Sequence, residues 1–237
     1  MKIERAQLVI EDSYQSQLVP HYPTFCFQGK RSYEKLRRKL QDGDGCLLRY
    51  FDESLRKDWN AETGELALRL MPSSLYELVE ELLVDAIKGE LDRVAKANHS
   101  LQAIRKDIRD SSHASLHNSS IEYPVSVYKP PDGQFFYDDI RGAPFVIEIS
   151  YSEKEHELLT RIKEYFIYLH SVSTVLAVDI EYAPPEIPQA PDYTHRATVC
   201  LWTAKRTGET IDIQRHKKAN FRGNGQAVPG QLIIPFK

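Results

Sequence analysis

Val175-Leu176-Ala177-Val178-Asp179-Ile180 is a nearly unbroken apolar run, and it follows a helical pattern over 153–170 in which Leu158, Ile162, Phe166 and Leu169 recur on one stripe. A run of that length reads as a strand buried on both faces, which requires helices on either side of a sheet. Upstream, Phe145-Val146-Ile147-Glu148-Ile149-Ser150 reads as another strand. Strand, crossing helix and strand in succession point to a mixed sheet covered by helices. The expected fold class is therefore α/β, a mixed central sheet flanked by helices, with additional N- and C-terminal strands.

Two acids mark the strand pair before that helix. Asp132 lies in Pro130-Pro131-Asp132-Gly133, and Glu148 lies inside the strand beginning at Phe145. A hairpin turning near Ile140 places the two opposite each other, because 132 and 148 are equidistant from 140. Alternation then points Phe135, Tyr137, Phe145, Ile147 and Ile149 to a core face, and Gln134, Val146, Glu148 and Ser150 to the other. Two carboxylates opposed at roughly 5 Å between Cβ atoms repel unless a cation accompanies them. On its own, Pro130-Pro131-Asp132-Gly133 also reads as a turn in which Asp132 bonds its own backbone. Glu148 is harder to set aside, since a glutamate within Phe-Val-Ile-Glu-Ile needs a metal, lysine or arginine if it is buried.

At 237 residues and 41% hydrophobic composition, the chain supports one substantial core, and a single domain over 1–237 is expected. The net charge of −3 excludes a dedicated nucleic-acid coat protein and leaves local charge to decide. No run reaches the length of a membrane span, and Met1-Lys2-Ile3-Glu4-Arg5 lacks a secretory signal's apolar stretch, so an intracellular location, cytoplasm or nucleus, is expected. Cys26, Cys46 and Cys200 are few, odd in number and far apart, which suggests neither a disulfide framework nor a cysteine zinc site.

Residues 1–31 read as irregular apart from a short strand at Thr24 to Phe27. Ser32 then caps a basic helix, Tyr33 to Leu40. Cys46 to Phe51 and Glu65 to Met71 read as strands. The strongest helix follows Pro72-Ser73-Ser74 and runs to about Ala95, with Leu75, Val79, Leu82, Leu83, Ala86 and Val94 on its apolar side. Glu90 falls on that stripe, either reaching water beside Gly89 or aiming a third acid at the Asp132 pocket. His113 and His117 have the spacing of a helical metal pair but sit among serines without a third ligand, so a solvated loop is the better reading. Strands around Ala197 to Thr203, Thr210 to Gln214 and Gln231 to Pro235 close the chain.

The order of strand with Pro131-Asp132, strand with Glu148-Ile149-Ser150, helix with Lys163 and Tyr165, and apolar strand resembles the PD-(D/E)XK nuclease superfamily. Within it the likeness is to the putative restriction-endonuclease-like family of small stand-alone proteins. The resemblance covers a core of about 60–182, with 1–59 as an N-terminal extension and 195–237 as C-terminal strands. It implies that Asp132, Glu148 and the backbone carbonyl of Ile149 hold Mg²⁺ or Mn²⁺, hard ions that suit oxygen ligands. The implied reaction is phosphodiester hydrolysis on nucleic acid, DNA first, by a water that the ion acidifies. A homodimer is allowed and no membrane is implied.

Position 150 departs from the superfamily's pattern, since a serine stands where a lysine is common and supplies no full positive charge. Lys163 is the expected catalytic cation, with Glu90 assisting; Arg161 flanks Ile162 on the other side by the same angle of about 100°. Some members of the resembled family place the lysine on this helix a few residues before a tyrosine, and Arg161 is four before Tyr165 while Lys163 is two before it. Both also read as ordinary solvated helix residues with stems over the core margin. For phosphate neutralisation the candidates are Lys205, Arg206, Arg215, Lys217, Lys218 and Arg222. The alternative function is a catalytically degenerate relative that keeps the fold to bind nucleic acid or a protein partner.

Overall fold

A computed structural model describes residues 2–15, 24–27, 30–43, 45–60, 63–69, 74–112, 127–128, 131–137, 143–151, 155–181, 196–216, 218–223 and 226–228. The chain is mixed α/β and divides into two compact units, one formed by Met1–Ser73 with Glu122–Pro130, the other by Ser74–Ile121 with Pro131–Lys237. Among the described residues no helix is long and apolar enough to cross a membrane.

The first unit opens with helix α1, Lys2–Tyr14, in a stretch expected to be irregular. Its buried residues Ala6 and Ile10 are one turn apart, a stripe too narrow to stand out among polar neighbours. Strand β1, Thr24–Cys26, and the basic helix α2, Lys30–Gly43, follow, the latter longer at both ends than the run from Tyr33 to Leu40. Cys46 to Phe51 is not a strand: helix α3, Gly45–Arg49, continues as a turn of π-helix, Tyr50–Ser54. Leu47 and Phe51 are both buried, and their i, i+4 spacing serves a helix facing the core. Strands β2, Arg56–Asn60, and β3, Glu65–Arg69, pair antiparallel, and β1 and the two-residue β5, Val127–Tyr128, flank them in the order β1-β3-β2-β5. Phe25, Leu36, Leu40, Phe51, Trp59, Leu66 and Leu68 make the core, with Tyr33 stacked on Trp59 at 4.4 Å between ring centroids.

The second unit begins with helix α4, Ser74–Ala97, and helix α5, His99–Asp107. Asn98 breaks the two apart by capping α5, its Oδ1 accepting from Ser100 N–H at 3.1 Å. The Arg105–Asp92 ion pair, 2.7 Å, ties α5 to α4. Among the residues of α4 whose burial is described, Val84 and Ala95 are the buried apolar ones, whereas Leu82 is 58% exposed, so the buried side is rotated from the stripe read in the sequence.

Strands β4, Ile108–Ser112, β6, Gly133–Tyr137, and β7, Phe145–Tyr151, lead through helix α6, Glu155–Tyr168, to β8, Thr174–Ile180. Then follow β9, Ala197–Thr207, β10, Thr210–Arg215, β11, Ala219–Gly223, and β12, Gln226–Ala227. Gly208, at φ 61°, makes the tight turn from β9 to β10 that a side-chain-bearing residue rarely adopts. The sheet order is β12-β11-β9-β8-β7-β6-β4, with β10 added on β9. Among the described strands of this sheet only β7 and β8 pair parallel, as the crossing helix requires; the other pairs are antiparallel. Val175, Leu176, Ala177 and Val178 are all buried, so both faces of β8 are covered as the apolar run implies. The expected strand around Gln231 to Pro235 and the histidines at 113 and 117 lie outside the described residues.

Candidate acid site on the central hairpin

The β6–β7 register is Gly133 opposite Ile147, Gln134 opposite Val146 and Phe135 opposite Phe145, each pair centred on 140. The paired register ends at Gly133 and Ile147, one residue short of Asp132 and Glu148. The backbone tightens here: Asp132 N–H donates to Ile147 O at 3.0 Å, and the Asp132 carboxylate takes Ile149 N–H at 2.5 Å through Oδ2. Pro131 has no N–H to extend the ladder. The carboxylate thus holds the backbone of the neighbouring strand at Ile149.

Glu148 is fully buried, and its partners come from α6. Arg161 Nε lies 2.8 Å from Glu148 Oε1, and Tyr165 O–H donates to Oε2 at 2.5 Å. Arg161 and Tyr165 are one helical turn apart and therefore share a face. The face opposite the expected core face is also covered: Val146, Glu148 and Ser150 are each at most 1% exposed. Like charges on the hairpin are accompanied by a cation, and that cation is a guanidinium belonging to the chain.

Lys163 is exposed, on the other shoulder of α6 from Arg161, and does not reach Glu148's surroundings. Glu90 also faces solvent, held by Arg93 at 2.5 Å, so it is not aimed at the acid pair. A different acid of α4 is buried: Glu80, 1% exposed. Val84, one turn later, lies against Gly133, its Cγ2 3.6 Å from where a Cβ on Gly133 would stand, and Lys88, one turn further, pairs with Asp110 at 3.3 Å, across from Phe135. Going back one turn from Val84 therefore moves Glu80 from the level of Gly133 toward that of Pro131 and Ile149. The only sequence signal for Glu80 was its place four before Val84; Tyr165 was marked by its position four after Arg161.

Two more polar groups border the pair on the α6 side of the sheet. Gln134 Oε1 and Ser150 Oγ are buried and have no hydrogen-bond partner among the described residues. Such atoms call for water or an ion. The oxygens of Asp132, Glu148, Gln134 and the Ile149 carbonyl are hard donors of the type that Mg²⁺ or Mn²⁺ takes. Among the described residues no group of three or more His, Cys, Asp or Glu side chains stands at metal-binding separation.

The basic residues of the last strands are dispersed. Arg206 donates to the carbonyls of Phe166 and Leu169 and so caps the C-terminus of α6. Arg215 and Lys218 lie at its opposite end, 3.5 and 3.2 Å from Glu155. Arg215 also covers the ring of Trp202 at 5.3 Å. Lys218 lowers the pKa of Glu155, chiefly by its hydrogen bond, while burial raises that of Asp179 against the pull of Lys218. Lys205 stands across the hairpin from Asp212, Arg222 is exposed on β11, and Lys217 lies outside the described residues.

No family model, curated protein or solved structure matches this chain.

Proposed function

We propose that the second unit is a restriction-endonuclease-like domain whose acid site serves metal-dependent phosphodiester hydrolysis on nucleic acid. The observation that carries this reading is the convergence of Arg161 and Tyr165 on Glu148, next to the Ile149 amide that binds the Asp132 carboxylate. Arg161 supplies from the helix the positive charge that Ser150 cannot supply from the strand. Asp132, Glu148 and the Ile149 carbonyl would hold Mg²⁺ or Mn²⁺. When bound, the ion lowers the pKa of a coordinated water and polarises the phosphoryl oxygens. The chain's own part is positional: Tyr165 and Arg161 fix the Glu148 carboxylate, the Ile149 amide fixes Asp132, and the guanidinium is set to stabilise charge developing on phosphorus.

The test is nicking of supercoiled DNA in Mn²⁺ by wild type, Asp132→Asn and Glu148→Gln. Asparagine at 132 can still accept the Ile149 N–H but carries no charge, so activity should fall by orders of magnitude with the fold retained. Equal nicking by all three proteins would end the proposal.

A second reading has its own support, because Tyr165 already donates to Glu148 and the charge of Glu148 is already neutralised by Arg161. That is the arrangement of a noncatalytic relative which keeps the fold to bind nucleic acid or a protein partner. Calorimetry with Mn²⁺ separates the two: a metal site loses its binding heat in Asp132→Asn, while a scaffold has none to lose.

A further inference from the structure

Helix α2, in the first unit, carries six Lys and Arg residues against Glu34 and Asp42. The fold sorts these charges. Arg37 is bound to Asp52 at 2.6 Å and Lys39 to Glu4 at 3.1 Å, while Leu36 and Leu40 are fully buried on the inner face. Lys30, at the first position of the helix, and Arg31, Lys35 and Arg38 are left, all exposed; the last three stand on the outer face at positions i, i+4 and i+7. None of the three has an ion pair among the described residues. They form a row of like charge about 10 Å long.

Like charges at i, i+4 destabilise an isolated helix by a few tenths of a kcal/mol, so packing of Leu36 and Leu40 has to hold this row in place. A basic amphipathic helix commonly lies on a lipid surface or in a partner's groove, but both modes use its apolar face. In α2 that face is already part of the unit's core. What remains is contact through charge alone, along a line. Duplex nucleic acid offers a phosphate charge about every 1.7 Å of its axis, so a row of this length meets several at once.

We propose that the outer face of α2 is a docking surface for the phosphate backbone of a nucleic acid, with Arg31, Lys35 and Arg38 as its contacts. The choice of nucleic acid among polyanions rests on the hydrolase reading of the second unit. The surface itself does not, because it needs neither metal nor the acid pair. Contact is independent of base sequence, since phosphates carry none.

The experiment measures anisotropy of a short labelled DNA duplex against the full-length chain in EDTA, over a series of salt concentrations. Each of Arg31→Gln, Lys35→Gln and Arg38→Gln should flatten the slope of log affinity against log salt by ~0.9, and the triple variant by about three times that. Lys96→Gln, on exposed α4 surface, is the control and should leave the slope alone. Glu34→Gln, which removes the acid beside the row, should tighten binding severalfold, an outcome that misfolding cannot imitate. The proposal is overturned by a wild type that does not bind, or by a triple variant and Glu34→Gln that bind as wild type does. Tighter binding to anionic lipid vesicles than to DNA, lost in the same triple variant, overturns it in favour of a membrane surface. Intact binding in EDTA with no nicking in Mn²⁺ would sink the hydrolase reading and leave this surface standing.

Discussion

Arg161 Nε stands 2.8 Å from Glu148 Oε1, with the two side chains 7% and 0% exposed. A buried pair of this kind is held by mutual dependence: removing one partner leaves an uncompensated charge, which costs about 3–5 kcal/mol. Arg161→Met should lose stability on that scale in thermal or urea unfolding. Adding Glu148→Gln to the same chain should recover much of it, because the orphaned charge is then gone. An Arg161→Met protein as stable as wild type would show that the ion pair is not formed.

Tyr165 is wholly buried, and its hydroxyl gives the second oxygen of Glu148 a donor at 2.5 Å. Hydrogen bonds to charged groups contribute about 1.5–3 kcal/mol. Tyr165→Phe should destabilise by that amount while leaving the ring's packing unchanged. In a Glu148→Gln background the same change should cost about 1 kcal/mol, the value for neutral partners. Equal losses in both backgrounds, read in a double-mutant cycle, would mean that the hydroxyl does not couple to the carboxylate.

The parts of this arrangement that were legible in the sequence are those fixed by period and distance along the chain. The β7–α6–β8 succession follows from an apolar run after a helical stripe, and the β6–β7 register from the equal spacing of Asp132 and Glu148 about residue 140. The cation was not legible. Arg161 and Lys163 flank Ile162 by equal angles, so helical period alone cannot separate them; the choice is made by where the sheet lies, and the sheet's acid lies on the side of Arg161. Glu80 was hidden for a related reason. The buried side of α4 passes through Glu80 and Val84, and the leucines at 78 and 82 that dominate its hydropathy are exposed. In the first unit, Cys46 to Phe51 has strand-forming composition, but Leu47 and Phe51 reach the core only when spaced by a helical turn.

Lys57 sets a pH dependence in the first unit. Its ammonium is buried against the carbonyls of Phe51 and Asp52 at the end of the π-helical turn. Its pKa is lowered from 10.5 to about 8, by burial first, with Asp52 opposing and Arg37 adding to the shift. Between those two values the unfolded chain holds more protons at this site than the folded one, so stability rises with pH across the window. Below about 8 both states are protonated and the cost of burying the charge is fully present. Unfolding free energies from urea titrations should therefore climb from pH 8 to 10.5 relative to a Lys57→Met variant, by on the order of 3 kcal/mol in total. Parallel pH profiles for the two proteins would rule out a buried ammonium.

Glu80 gives a test of the acid site that does not depend on turnover. It is 1% exposed on α4, one turn before Val84, which lies against the residue following Asp132. Val84 packs on the Gly133–Ile147 face, opposite Glu148, so Glu80 would support a bound ion only from behind the hairpin; from there Glu80→Gln should keep the packing and weaken Mn²⁺ binding by ~10- to 100-fold, the range for groups that orient a metal's ligands. Glu90→Gln, at an exposed residue paired with Arg93, should leave Mn²⁺ affinity unchanged. The pair of variants discriminates between two acids of one helix, only one of which is turned inward. Equal Mn²⁺ affinity in wild type and Glu80→Gln, by calorimetry, would remove Glu80 from the site and leave Asp132 and Glu148 as its only carboxylates among the described residues.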